Sequence, residues 1–194
     1  MKYKDVTRFE FRAFATNLSP VKRKLEALVT GEEQPPSREI YIVTRLNIES
    51  NVKIRGGHLQ VKGLKARYQM LEQWEPLFSK KLPVSSEDVE NFVFPPLGLD
   101  VDLGDERELA EDTLLALVSE QPALATVQVD KQRTLFDLGG CEAEFCALEI
   151  GEERLHTIAI EAVEAEAARR TIAELGLEAA QNESYASFLQ RRLF

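Results

Sequence analysis

Polar and apolar residues alternate along TRFEFRAF, residues 7 to 14, so that Arg8, Glu10 and Arg12 share one face of an extended chain while Phe9, Phe11 and Ala13 share the other. The pattern predicts a strand over about residues 3 to 15. It gives way to a helix signal, in which Asn17 or Ser19 can cap, Pro20 suits the first turn, and Val21, Leu25, Leu28 and Val29 form a stripe that stops at Gly31. After the linker GEEQPPS come two strand-like runs, REIYIVTRLNI and NVKIRGGHLQVKGL, the second folding back at Gly56-Gly57. QWEPLFSKKLPV reads as extended. Residues 85 to 121 differ in kind: a short capped segment SSEDVENF, a turn at Pro95-Pro96, then the amphipathic ERELAEDTLLALVSE. Strands resume with ATVQVDKQRTLFDLGG, CEAEFCALEIGEE and RLHTIAIEAV, with Gly139-Gly140 marking a tight turn. A helix over EAEAARRTIAELGL, ended by Gly176, and a last helical piece, ESYASFLQRRLF, close the chain. Many strands joined by short turns, with helices at the start, middle and end, predict an α+β protein built on one antiparallel sheet or barrel. The length suits a single domain over residues 1–194, with a helical insert at about 85–121.

The alternation of the first strand recurs. Lys53 and Arg55 alternate with Val52 and Ile54, Gln60 and Lys62 with Leu59 and Val61, and Glu142 and Glu144 with Ala143 and Phe145, while Lys131 and Arg133 share one face of their strand. One reading is a solvated sheet face whose charges pair across strands. The alternative rests on the repetition of basic residues two apart, which places like charges side by side, an arrangement favoured when an anion is bound between them. A polyphosphate chain is such an anion. Carboxylates on the same face, Glu10, Glu142, Glu144 and Glu161, are hard oxygen donors of the kind that hold Mg²⁺ or Mn²⁺ beside substrate phosphates.

Charge refines the picture. The formal net charge of -9 argues against nucleic acid as a partner. The acid is unevenly spread: residues 38 to 81 hold nine Lys/Arg against four Asp/Glu, whereas residues 85 to 120 hold one against eleven, so a basic region is followed by an acidic insert. Cys141 and Cys146 are five apart on a predicted strand, point to opposite faces and cannot be bridged there. With only His58 and His156 besides, no zinc site is indicated. The N-terminus lacks the apolar core of a signal peptide, and no run approaches the length needed to span a bilayer, so the expectation is a cytoplasmic protein with no membrane partner. No GxSxG, P-loop or Cys/His dyad is present.

The order of these motifs resembles the CYTH superfamily, the triphosphate tunnel metalloenzymes, whose members include thiamine triphosphatase, inorganic triphosphatases and a class of adenylyl cyclase. Its ExExK opening is similar to Arg8-Phe9-Glu10-Phe11-Arg12, with Arg8 in place of the first carboxylate. Its second-strand motif resembles Tyr41 to Thr44, where Val43 stands for the Asp. Its LRIR and basic LxxKG elements resemble VKIR and LQVKG, its KxR strand Lys131 and Arg133, and the acidic strand after it Glu142 and Glu144. Its late ExE resembles Ala159-Ile160-Glu161, again short of one carboxylate. The resemblance implies an antiparallel β-barrel tunnel with flanking helices. Arg8, Arg12, Lys53, Arg55, Lys62, Lys131 and Arg133 would bind a triphosphate or polyphosphate small molecule, and Glu10, Glu142, Glu144 and Glu161 a Mg²⁺ or Mn²⁺ ion.

Three functions follow from these expectations. The first is a phosphohydrolase-like protein binding a triphosphate, inorganic or organic, and hydrolysing it with metal. The second is a non-catalytic polyphosphate or nucleotide sensor. The third is a structural module whose sheet charges are salt-bridged internally. Arg8 bears on them: it either pairs internally with Glu10 or another acidic neighbour, or replaces the charge of the metal by contacting the ligand phosphate itself.

Overall fold

The computed structural model describes residues 7–194, so residues 3 to 6 of the predicted first strand lie outside the described residues. In chain order the elements are β1 (Arg8–Ala15), α1 (Ser19–Leu28), β2 (Glu32–Glu33), β3 (Ser37–Thr44), β4 (Ser50–Arg55), β5 (His58–Tyr68), β6 (Leu71–Lys81), β7 (Val84–Ser85) and α2 (Ser86–Phe92). A 3-10 turn at Pro95–Leu97 is followed by β8 (Glu108–Leu109), α3 (Glu111–Ser119), β9 (Leu124–Asp137), β10 (Cys141–Ile150), β11 (Glu153–Ala162), α4 (Ala165–Leu175) and α5 (Tyr185–Leu193). The main sheet runs β10-β11-β1-β6-β5-β4-β3-β9-β2, and β9 pairs again with β10. Among the described residues eight antiparallel strands thus close into a barrel accompanied by five helices, the α+β class that the alternation predicts. Closure leaves the barrel without the unpaired edge that an open sheet must protect.

The chain divides into two compact units. Among the described residues the first comprises 7–37, Leu64–Glu75 and Val129–Ser184. Its core forms where the apolar faces of β1, β10 and β11 meet α1 and α4: Phe11, Ala143, Phe145, Ile158 and Ile160 pack with Leu25 and Ile172. The parity is the one read from the sequence, apolar side toward helices and charged side away from them. Helix α1 is capped by neither Asn17 nor Ser19: its N-cap is Leu18, which makes no side-chain cap, and Asn17 Oδ1 instead accepts from the Ser19 N–H at 2.9 Å in the turn before the helix. Gly31 lies where the chain after that helix crosses β9; a Cβ there would stand 2.6 Å from the Thr134 methyl and 2.7 Å from the Phe136 ring, so no larger residue fits unless these move. Helix α4 ends at Gly176, as predicted, with φ of 73°.

The second unit comprises Arg38–Gly63, Pro76–Gln128 and Tyr185–Phe194. Here Val52, Ile54, Leu59 and Val61 pack against Val89 of α2, Val93 just after it, and Leu114 and Val118 of α3. The acidic insert is therefore a lid on the outer, apolar side of these strands. Helix α2 carries a capping box, Ser85 Oγ accepting from the Asp88 N–H at 3.1 Å and Asp88 accepting from the Ser85 N–H at 3.2 Å. The amphipathic segment after it is helical only from Glu111, because Glu108–Leu109 pairs with Val84–Ser85 instead and buries Leu109 completely. Helix α5 docks by Gln190, whose Nε2 donates to the Thr44 and Asn47 carbonyls at 2.9 Å each, and by Tyr185, which stacks on Tyr41 at 5.0 Å between ring centroids.

Two features differ from the expectations. The run KARYQMLEQ completes a second long hairpin, β5 to β6, which turns at Gln69 with φ of 54°. No Gly, Asn or Asp marks that turn, which is why alternation alone does not place it. Glu32–Glu33 in the linker also pairs with β9, opposite Leu135 and Thr134. Among the described residues no helix is long and apolar enough to cross a membrane.

Candidate functional site

The charged faces belong to strands whose register fixes which side chains are neighbours. In the first unit Glu10 of β1 stands opposite Glu161 of β11 and opposite Glu72 of β6, and Glu161 stands opposite Glu142 of β10. Four carboxylates therefore cross four adjacent strands in one row, and Asp137 of β9 extends it at the exposed end, opposite Glu142. Like charges directly opposite repel. Arg8, two residues before Glu10 on the same face, answers this: its Nη1 donates to Glu161 Oε2 at 3.1 Å and lies 3.8 Å from Glu142 Oε1. Glu72 is held from the other side, accepting from Trp74 Nε1 at 3.2 Å and lying 3.6 Å from Arg67 Nε. Burial nonetheless raises the Glu72 carboxyl above its ordinary value; Trp74 and Arg67 oppose this and the Glu10 charge adds to it.

Further along the same face the balance reverses. Arg12 and Arg133 share the Glu144 carboxylate, Arg12 Nη1 at 3.5 Å from Oε1 and Arg133 Nη1 at 3.9 Å from Oε2. Both contacts exceed the 2.7–2.9 Å of a strong charged hydrogen bond. The arginine side chains are only 13 and 14% exposed, and the Nε of Arg133 is buried with no hydrogen-bond partner. Lys131 follows two residues from Arg133 and is buried. Cys146, opposite Arg133 in register, reports this surrounding: burial pushes its thiol up to about 12 and Glu144 adds to the shift, while Lys131, Arg12 and Arg133 oppose it. Cys141, on the other face, sits in the apolar core; both thiols are free.

The first unit therefore brings together Arg8, Glu10, Arg12, Lys131, Arg133, Glu142, Glu144 and Glu161 on one face, with an acidic end and a basic end. Lys53, Arg55 and Lys62 lie in the second unit. There Arg55 stands opposite Glu39 and His58, Lys53 opposite Tyr41 and Gln60, and Lys62 opposite Asn51. Glu39, which the sequence reading passes over, is wholly buried. It accepts from Lys53 Nζ at 3.0 Å and from the Tyr41 hydroxyl at 2.9 Å, with Arg55 Nη1 at 3.7 Å, and Lys53 also lies over the Tyr41 ring at 5.6 Å. The signal for Glu39 was present: two residues before Tyr41, it has the parity of the charged face. Glu72 carried no comparable signal, since its hairpin was not legible.

The fit of a divalent cation is tested by the same geometry. Among the described residues no three His, Cys, Asp or Glu side chains converge closely enough to hold one. Glu161 and Glu142 are bridged by a guanidinium, and Glu144 is placed between two. The donor set, as arranged, does not fit a metal. The unit's cleft of about 460 Å³ lies elsewhere, against α1, α4 and the β9–β10 turn, lined by residues including Val29, Gly140 and Arg170.

No protein-family model matches the chain, and no curated protein matches it at a significant level. Solved structures do share its fold. A protein of Bacillus halodurans, provisionally assigned as an adenylate cyclase, superposes with a TM-score of 0.55 at 12% identity, over 97% of this chain and 98% of that one. The PH1012 protein of Pyrococcus horikoshii gives 0.54 at 14% identity, over 92 and 97%. A conserved hypothetical protein of Pyrococcus furiosus gives 0.51 at 14% identity, over 92 and 98%. At these identities the likeness is one of fold.

Proposed function

We propose that the protein binds a triphosphate-containing small molecule, its phosphoryl groups taken by the basic end of the first unit's charged face, and that it is a divergent member of the CYTH superfamily. The observation that carries this reading is the cluster of Arg12, Lys131 and Arg133. Two of its guanidiniums share one carboxylate at long range, and one has a buried donor nitrogen without an acceptor. Desolvating a donor without a partner costs about 1–3 kcal/mol, more for a charged group, and a phosphoryl oxygen is the acceptor that a planar guanidinium fork suits best. The shared fold supports the family reading, because the superfamily includes a class of adenylyl cyclase and the Bacillus halodurans protein carries that provisional assignment. In this account Arg12, Lys131 and Arg133 bind and orient the phosphate chain, and Glu144 fixes both arginines. Phosphoryl transfer needs charge neutralisation and a positioned water beyond binding. Titration calorimetry with inorganic triphosphate tests it, alongside phosphate release from triphosphate, ATP and thiamine triphosphate with Mg²⁺ or Mn²⁺. Saturable binding is expected; its absence under all these conditions removes the reading.

A second reading, an internal salt-bridged ladder, is favoured for the second unit by Glu39. Lys53 and Arg55 already have a buried carboxylate between them. On that reading their substitution changes stability and leaves anion affinity as it was.

A further inference from the structure

The row of carboxylates calls for a cation, and the chain supplies one from its own sequence. Glu72, Glu10, Glu161 and Glu142 stand opposite one another on successive strands, whose spacing of roughly 4.8 Å holds the negative charges close together. Like charges so placed repel, and positive charge within the row relieves that repulsion. The guanidinium of Arg8 spans Glu161 and Glu142, as a divalent ion held by two carboxylates does, and with its side chain 12% exposed it acts where water screens little.

We propose that Arg8 substitutes for a divalent cation: by neutralising the acidic end of the face it lets a phosphate chain approach the basic end without Mg²⁺ or Mn²⁺. The inference rests on the triphosphate-binding reading and specifies the ionic requirement of that same site. The difference between an arginine and a metal is that the arginine is permanent. Its charge is present at every metal concentration, and the carboxylates that would take up an ion are committed to it.

The test is calorimetry of tripolyphosphate with the full chain in EDTA and then in excess Mg²⁺ or Mn²⁺, together with Mn²⁺ titration of the protein alone followed by electron paramagnetic resonance. The wild-type protein is expected to bind tripolyphosphate in EDTA, no more tightly with metal, and to leave Mn²⁺ free. Arg8→Glu, which puts a carboxylate back and takes a cation away, is expected to lose about tenfold to a hundredfold in affinity in EDTA, to regain part of it with metal, and to bind Mn²⁺ by itself. Arg8→Gln is the milder variant: about a tenfold loss in EDTA with its urea midpoint recorded alongside, so that a fold failure is told from a charge effect. Wild-type binding that appears only with metal, or Arg8→Gln binding like wild type in EDTA, overturns the inference while leaving triphosphate binding in place. No wild-type binding under either condition overturns the triphosphate reading, and this inference with it.

Discussion

Glu39 and Glu144 are each shared between two cations, and they are not equivalent. Glu39 is wholly buried and accepts hydrogen bonds from the Tyr41 hydroxyl, a neutral partner within its own strand, at 2.9 Å and from Lys53 Nζ at 3.0 Å. Glu144 has its arginines at 3.5 and 3.9 Å and keeps 18% of its side chain exposed. The cations show the reverse order: Lys53 and Arg55 are 19 and 31% exposed, Arg12 and Arg133 only 13 and 14%. In the second unit the anion is buried and water reaches the cations; in the first the cations are more deeply placed and their anion is loosely shared. On the proposed reading the second unit's network is structural and the first unit's takes a ligand. The lesson is that a repeated basic pattern on a sheet face does not have one meaning, and that the depth and bond lengths of the acidic partner decide it.

Removing the shared anion is the strongest way to break the comparison. Glu39→Ala leaves Lys53, Arg55 and the Tyr41 hydroxyl without the carboxylate they share and, because water reaches both cations, is expected to cost about 1–3 kcal/mol. Urea denaturation measures it; a loss no larger than that of Glu144→Ala would make the two networks alike. Next comes Arg133→Gln, which removes a buried cation whose Nε has no acceptor. Its unfolding midpoint should stay close to wild type, while tripolyphosphate affinity falls about tenfold to a hundredfold, the range for a lost charge-assisted contact of about 1.5–3 kcal/mol. Equal affinity would detach Arg133 from the proposed site.

The acidic end is sharpened by pH. Because burial raises the Glu72 carboxyl in the folded state, the folded protein holds that proton more tightly than the unfolded chain. Its contribution to stability is therefore most favourable at low pH and is lost as pH rises from the ordinary carboxyl value through the raised one. Glu72→Gln should remove this dependence, so that comparison of urea midpoints at pH 4 and pH 7 gives a smaller decline for the variant; an identical decline would mean that Glu72 is not the group responsible. The smallest effect is expected at Arg154 and Glu149, paired at 3.0 Å but 83 and 56% exposed. Breaking this pair should change stability by less than about 0.5 kcal/mol and leave binding untouched. A larger change would show that exposure is a poor guide to the weight of the charges in this protein.

The alternation of Phe11 with Arg12, of Val52 and Ile54 with Lys53 and Arg55, and of Ala143 with Glu142 and Glu144 was enough to assign the apolar face to the helices and the charged face to the opposite side. Period-two patterning is a local property, and so is a glycine helix stop such as Gly176. Partnership is not local. Arg8 meets Glu161 across 153 residues of sequence, and only the register of β1 with β11 makes them neighbours. The β5–β6 hairpin escaped because Gln69 adopts a left-handed conformation without the usual glycine or asparagine, and with it escaped Glu72. Glu39 was legible in parity but not in depth, since its complete burial follows from the packing around it.

On the proposed reading the first unit's arginines meet a phosphate chain and the second unit's do not. The most direct measurement is arginine side-chain NMR of the unmodified protein, following the guanidinium Nε–Hε resonances as tripolyphosphate is added. The account predicts that Arg12 and Arg133 shift and saturate together while Arg55, paired with Glu39, stays where it was. Movement of Arg55 with Arg12 and Arg133 unperturbed, or no movement in any of them, would contradict it.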